Sequence, residues 1–210
     1  MVLRAKPEKV EERERTRRAL LQATLQLAAQ HGFAGLGLRE VSRGAQIAPT
    51  SFYRHFADME ELGIALVDEL VAPLLSHWLA QIQAALRARA EPVAALLAHG
   101  AEVRRADRDL LRFLLAERVG AMRTCRVALR RELTKVAEGL CEALSARTAH
   151  AVSPDVAEAA ITLLLEGLSL ALETEEGPAS EAPQRQIMHK LERQLSLLLA
   201  APAEPSGKGS

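Results

Sequence analysis

Aromatic side chains are scarce. Only six of 210 residues, 3%, are Phe, Trp or Tyr. Recognition of flat rings by stacking therefore has few partners to draw on. Cysteine is nearly absent: Cys125 and Cys141 lie sixteen positions apart. On one helix that spacing puts them on nearly opposite faces, where they can neither pair nor share a metal, and they read as small apolar side chains. The six histidines are scattered, no His/Cys/carboxylate cluster has metal-ligand spacing, and nothing orders a nucleophile against a base. An enzyme is not expected, nor a cofactor or metal. Strand-period segments, fixed-length repeats and Gly-rich phosphate loops are missing. No apolar run approaches ~18–20 residues, so no membrane span is expected. The opening MVLRAKPEKVEERERTRR is charged and lacks the apolar core of a signal peptide, which points to the cytoplasm.

Net charge is also lacking. Lys+Arg and Asp+Glu both number 27. A neutral sum argues against nucleic-acid binding, but the distribution reverses that. Residues 1–57 hold 10 basic and 5 acidic groups; residues 58–210 hold 17 and 22. A basic N-terminal quarter on an acidic remainder suggests an anionic partner at one end. The aromatics follow the same division. Phe33, Phe52, Tyr53 and Phe56 fall within 24 residues, while Trp78 and Phe113 are the only others. A very small module needs large side chains to build a core. The rest, rich in Leu and Ala, has the composition of packed helices. Four segments are expected: a flexible basic arm (1–10), a small helical module (11–57), a larger helical body (58–200) and a disordered tail (201–210).

Periodicity and capping signals predict an all-α chain of about nine helices. The first runs from Glu11 to His31, with Gly32 as its C′ residue and Phe33 packing back. A short helix follows from Leu38 to Ala45, then a turn over 46–48. Pro49 opens a third short helix ending at Phe56. Asp58 caps a long helix to Arg89, with Glu61 as its box partner and Pro73 expected to kink it. Later helices are expected at 92–105, 107–119, 122–148, 154–172 and 183–200, with TEEGPASEAP (174–183) as a loop.

Short helices joined by a tight turn make a helix-turn-helix unit. In the third, Phe52 and Phe56 are four apart and can anchor one face inward. Thr50, Ser51, Arg54 and His55 point elsewhere and can donate hydrogen bonds, and the Tyr53 hydroxyl can reach a phosphate. This suits insertion into a major groove; a merely solvated helix has the same pattern. The basic charge of the segment, with Arg39 nearby and Arg4 and Lys6 in the arm, favours DNA.

Residues 11–62 resemble the DNA-binding domain of the TetR family of transcriptional regulators. The resemblance rests on His31-Gly32-Phe33, on Leu38-Arg39-Glu40-Val41, and on Thr50-Ser51-Phe52-Tyr53-Arg54-His55-Phe56 with Asp58, Glu61 and Leu62. Ile47-Ala48-Pro49 leading into that segment, and the later Arg112-Phe113-Leu114-Leu115-Ala116-Glu117-Arg118, are similar to the fatty-acid-biosynthesis repressors of the FabR/DesT group. The family implies a DNA-reading N-terminal domain joined by a long helix to a ligand-binding and dimerising domain, and a homodimeric repressor on a pseudo-palindromic operator. Three positions depart from its pattern. Gly37 stands where a Ser or Thr caps the second helix, Gln46 where the turn has Gly, and Met59 where many relatives have Lys.

Two sites in the body follow. Leu163, Gly167, Leu168 and Ala171, with Leu191, Leu195 and Leu198, form apolar stripes on the last two helices. Burial within one subunit and burial between two both fit these stripes, and the resemblance favours a dimer interface. Residues 104–131 carry nine arginines among leucines. They either pair with neighbouring carboxylates in water or ring an apolar slot for a long acyl chain with a phosphorylated head group. The resemblance favours long-chain acyl-coenzyme A as effector. It implies a site from Leu75 and Trp78 on the long helix to Leu110, Phe113, Leu114, Glu117, Arg118, Met122 and Arg126, with the long helix coupling ligand to DNA. A sensor of some other apolar compound, such as a drug, is the alternative.

Overall fold

A computed structural model describes residues 7–147, 151–174 and 181–200. Among them the chain is all helix, without a strand. The helices are α1 (Pro7–His31), α2 (Leu38–Gly44), α3 (Pro49–Phe52), α4 (Met59–Leu66), α5 (Ala72–Arg87), α6 (Pro92–Ala106), α7 (Arg108–Glu117), α8 (Arg123–Ser145), α9 (Pro154–Thr174) and α10 (Glu181–Ala200). A π turn, Val67–Val71, joins α4 to α5, so these two form one continuous helix and the described helices number nine.

The helix starts are local events. Pro7 and Pro92 open α1 and α6, where a missing N–H costs nothing. α1 therefore begins four residues before the expected Glu11, and residues 7–10 are helix, not arm. Residues 1–6 and the 201–210 tail lie outside the described residues. Asp58 caps α4, its carboxylate accepting from the Glu61 N–H at 2.8 Å. Glu61 reaches back to the N–H of Ala57, one residue before the cap. Ser153 caps α9 through the Val156 N–H. Pro73 lies just inside α5, and the π turn ahead of it is where the ladder departs from α geometry.

The continuous helix also corrects one expectation. Met59–Arg87 spans 29 residues with mean hydropathy 1.4 in its most apolar stretch, enough by length and composition to cross a membrane. Asp68 and Glu69 hide this from a search for unbroken apolar runs. Of that stretch 44% is buried inside the protein, and core helices share this composition.

The chain divides into two compact units, Met1–Pro73 with Asp109–Arg130, and Leu74–Arg108 with Arg131–Ser210. This division differs from the boundary expected at 57/58, because α7 and the start of α8 pack with the N-terminal helices. In the first unit Phe33, Phe52, Phe56 and Phe113 are all at most 1% exposed. Phe33 meets Phe113 edge to face at 6.0 Å. Gly32, at φ 74, supplies the left-handed residue that ends α1 and turns Phe33 inward. Gly63 of α4 allows a close approach: a Cβ there would lie 2.5 Å from Cys125 Sγ and 2.7 Å from the Phe33 ring.

In the second unit α9 packs on α10 and on α6. Gly167 lies against Leu191, and Gly100 against Leu164. Gln83 of α5 donates to the Gly139 carbonyl of α8 at 3.3 Å. Glu132 is buried; burial raises its pKa, but hydrogen bonds and charge from Lys135 and Arg131 outweigh this and hold the carboxyl below its ordinary range.

Candidate nucleic-acid interface

α2 and α3 present the surface singled out in the sequence. α2 starts at Gly37, in extended conformation and without a side-chain cap, so no hydroxyl is offered there. Val41 and Ser42 are buried, and the Ser42 carbonyl accepts from the Ile47 N–H across the turn. Gln46 sits at φ 57, a left-handed conformation that costs a non-glycine residue about 1–2 kcal/mol. Pro49 opens α3.

The third helix is shorter than expected. Four residues are α-helical, and the chain then tightens through i→i+3 bonds from Arg54 N–H to Ser51 and from His55 N–H to Phe52. The side chains still divide as the spacing requires. Phe52 and Phe56 are buried, while Arg39, Thr50, Tyr53 and Arg54 are exposed. Ser51 and His55 are half-buried. Ser51, Arg54 and His55 line a cleft of about 560 Å³ with Glu12, Arg13, Thr16 and Ile47. Arg4 and Lys6 lie outside the described residues.

Residues of α1 and of the π turn complete this surface, and sequence reasoning missed them. Arg13 Nη2 donates to the Arg54 carbonyl at 3.2 Å, and Arg17 Nη1 to the His55 carbonyl at 3.0 Å. Arg17 also forks onto the Glu69 carboxylate, with Nε at 3.0 Å from Oε1, and lies 4.3 Å from the Phe56 ring centroid. The only signal in the sequence is the four-residue spacing of Arg13 and Arg17. The His55 imidazole is held below its ordinary pKa, first by burial, then by the charges of Arg13 and Arg17. It presents a neutral ring at neutral pH. The surface thus offers neutral and cationic donors on a short, rigidly seated turn, the chemistry that base edges and phosphates accept.

A family model described as bacterial regulatory proteins, tetR family, matches residues 20–66. An uncharacterized HTH-type transcriptional regulator from Haemophilus influenzae is 34% identical over 190 residues, covering 89% of this chain and 90% of that protein. The chain belongs to the TetR family. Among solved structures, the multidrug binding protein EbrR complexed with imidazole is 25% identical over 89% of this chain and 96% of its own, with a TM-score of 0.61. Bacillus subtilis FadR in complex with stearoyl-CoA shares the fold at 12% identity, a TM-score of 0.64, and coverage of 87% and 97%. TetR-family proteins are transcriptional regulators that bind DNA, dimerise and respond to small molecules, and the helix-turn-helix described above is this member's DNA-binding element.

The residues expected to hold an effector fall in both compact units. Leu75 and Trp78 belong to the second and are buried. Leu110, Phe113, Leu114 and Glu117 belong to the first and are also buried. Several already have partners there. Phe113 packs on Phe33, Glu117 Oε1 accepts from the Phe33 N–H at 3.2 Å, and Arg126 donates to the Gly120 carbonyl. Arg118 and Met122 are half-buried. A cleft of about 480 Å³ in the second unit is lined instead by Gln83, Arg87, Arg89, Glu142 and Arg147, among others.

The dimer stripes need a correction. Gly167, Leu168, Ala171, Leu191 and Leu195 are buried within the chain, where α9 packs on α10. Leu163 and Leu198 are half-buried. Two residues not singled out, Leu170 at 38% and Leu197 at 73% exposure, are the exposed large apolar side chains of these helices. The 3.6-residue period shows that a face is apolar; it does not show which neighbour covers it.

Proposed function

We propose that this TetR-family chain is a repressor that acts in the cytoplasm as a homodimer on a pseudo-palindromic operator. Its recognition surface is Arg39, Thr50, Ser51, Tyr53, Arg54 and His55, with Arg4 and Lys6 reaching phosphates. The observation that carries this reading is the division of the third helix, with Phe52 and Phe56 buried and Thr50, Tyr53 and Arg54 exposed. Paired recognition helices about one DNA turn apart (~34 Å) then read two half-sites. Arg54→Ala tests this. Operator binding should weaken by about 1–3 kcal/mol with helicity intact. Unchanged affinity, or equal affinity of the wild type for operator and random duplex, would remove the assignment.

The effector in this reading is a long-chain acyl-coenzyme A, linking the repressor to genes of fatty-acid and unsaturated-fatty-acid metabolism. Support comes from the Arg112–Arg118 resemblance to FabR/DesT-type repressors and from Trp78. Its indole is buried and its N–H has no acceptor among the described residues, so it is a donor that an acyl ligand's oxygen could take up. A second reading, another apolar compound such as a drug, is favoured by the 25% identity to EbrR. Mass spectrometry of the protein as purified, followed by titration of acyl-coenzyme A, free fatty acid and proflavin against operator binding, separates them. No response to any acyl chain length rules out the first.

A further inference from the structure

Arg17 makes three kinds of contact at once, and none of them faces outward as a DNA contact would. Its Nη1 donates to the His55 carbonyl, its fork grips Glu69, and its plane lies over Phe56. Glu69 is 52 positions away, within the π turn. A helix of four residues cannot hold itself in place; one closed turn is near the nucleation limit. Its seating depends on what grips it. Phe52 and Phe56 fix its inner face, but apolar contacts allow sliding. The His55 carbonyl, beyond the last helical turn, has no later residue of the helix to bond it. A guanidinium bound there, and itself held by a fork and a ring, fixes that end directionally.

Glu69 lies inside the π turn, where the backbone departs from α-helical geometry. An extra residue in one turn rotates everything after it by about 100° relative to an α-helix. Exposed ion pairs contribute little as a rule, but forked Arg–carboxylate pairs held against a ring are the exception. We propose that Arg17 and Glu69 are positioning residues for operator recognition, a clamp that sets the seating of the Thr50–His55 surface. The inference rests on that surface being the one that reads DNA.

The experiment uses the full chain and the duplex that the wild type enriches from a randomised pool. Affinity is measured across salt concentrations for Arg17→Lys, Glu69→Gln, the double variant and Arg54→Ala, with melting temperatures alongside. Each single clamp variant should bind the selected duplex about tenfold more weakly relative to random duplex. The double variant should be no worse than the weaker single, because the clamp is already open. The salt slope should match the wild type. A slope reduced by about one in a further variant, Arg17→Gln, which removes the charge that Arg17→Lys keeps, would make Arg17 a phosphate contact and overturn the proposal. Additive losses, or unchanged affinity, would also overturn it. Should Arg17→Lys fail to fold, the near-isosteric Glu69→Gln at the exposed end decides alone. If Arg54→Ala also binds normally, the DNA-reading surface is wrong, not merely the clamp.

Discussion

Replacing Gly63 by Ala tests whether α7 and α8 truly belong with the N-terminal helices. In an ordinary helix interior the change stabilises by roughly 1 kcal/mol, because alanine loses less backbone entropy. At Gly63 the new methyl would meet Cys125 Sγ at 2.5 Å and Phe33 ring carbons at 2.7 and 2.9 Å. Both neighbours are at most 1% exposed and have nowhere to move. Overpacking of this kind costs about 1–3 kcal/mol. Three contacts under 3.0 Å put the cost at the upper end of that range, about 2–3 kcal/mol, so the expected net is a loss of about 1–2 kcal/mol, or a melting temperature lower by about 2–8 °C for a chain of this size. Differential scanning calorimetry of wild type, Gly63→Ala and Gly63→Ala with Cys125→Ala reads it, and the second substitution should recover part of the loss. A melting temperature at or above wild type in Gly63→Ala would show that the 109–130 segment does not pack on α4 and Phe33.

The two thiols should separate chemically. Burial first, then the Glu117 and Glu60 carboxylates, push Cys125 up to about 12, while Cys141 is half-buried and donates to the Val152 carbonyl. Iodoacetamide at neutral pH should label one cysteine in the native protein and both in denaturant, and native labelling of Cys125 would contradict its placement. His55 predicts an acid sensitivity. Its folded pKa lies below 6.5, so the unfolded chain binds a proton first. The folded state therefore loses stability as pH falls through 6.5, and the loss stops below the folded pKa; above 6.5 the group contributes nothing. His55→Gln should remove that part of the slope. Urea midpoints from about pH 7.5 to about pH 5.5 measure it, and parallel curves for the two proteins would refute it.

A sum of zero charge does not count against a DNA-binding regulator when +5 of it lies in residues 1–57 and −5 in the remainder. That asymmetry is a property of the sequence alone. So are the caps at Asp58 and Ser153, the stop at Gly32, the left-handed strain at Gln46 and the inward turn of Phe52 and Phe56. Each depends on residues within about one helical turn, and side-chain chemistry at that range is nearly independent of the rest of the chain. The tertiary structure decided what each apolar or charged face meets. It took Phe113 and Glu117 onto Phe33, closed the α9 stripe over Leu191 in the same chain, and set Glu69 on Arg17 across 52 positions. Helical periodicity fixes the direction in which a side chain points from its own axis. Which axis lies opposite depends on how all the faces are buried at once, and that is settled only when the chain has packed.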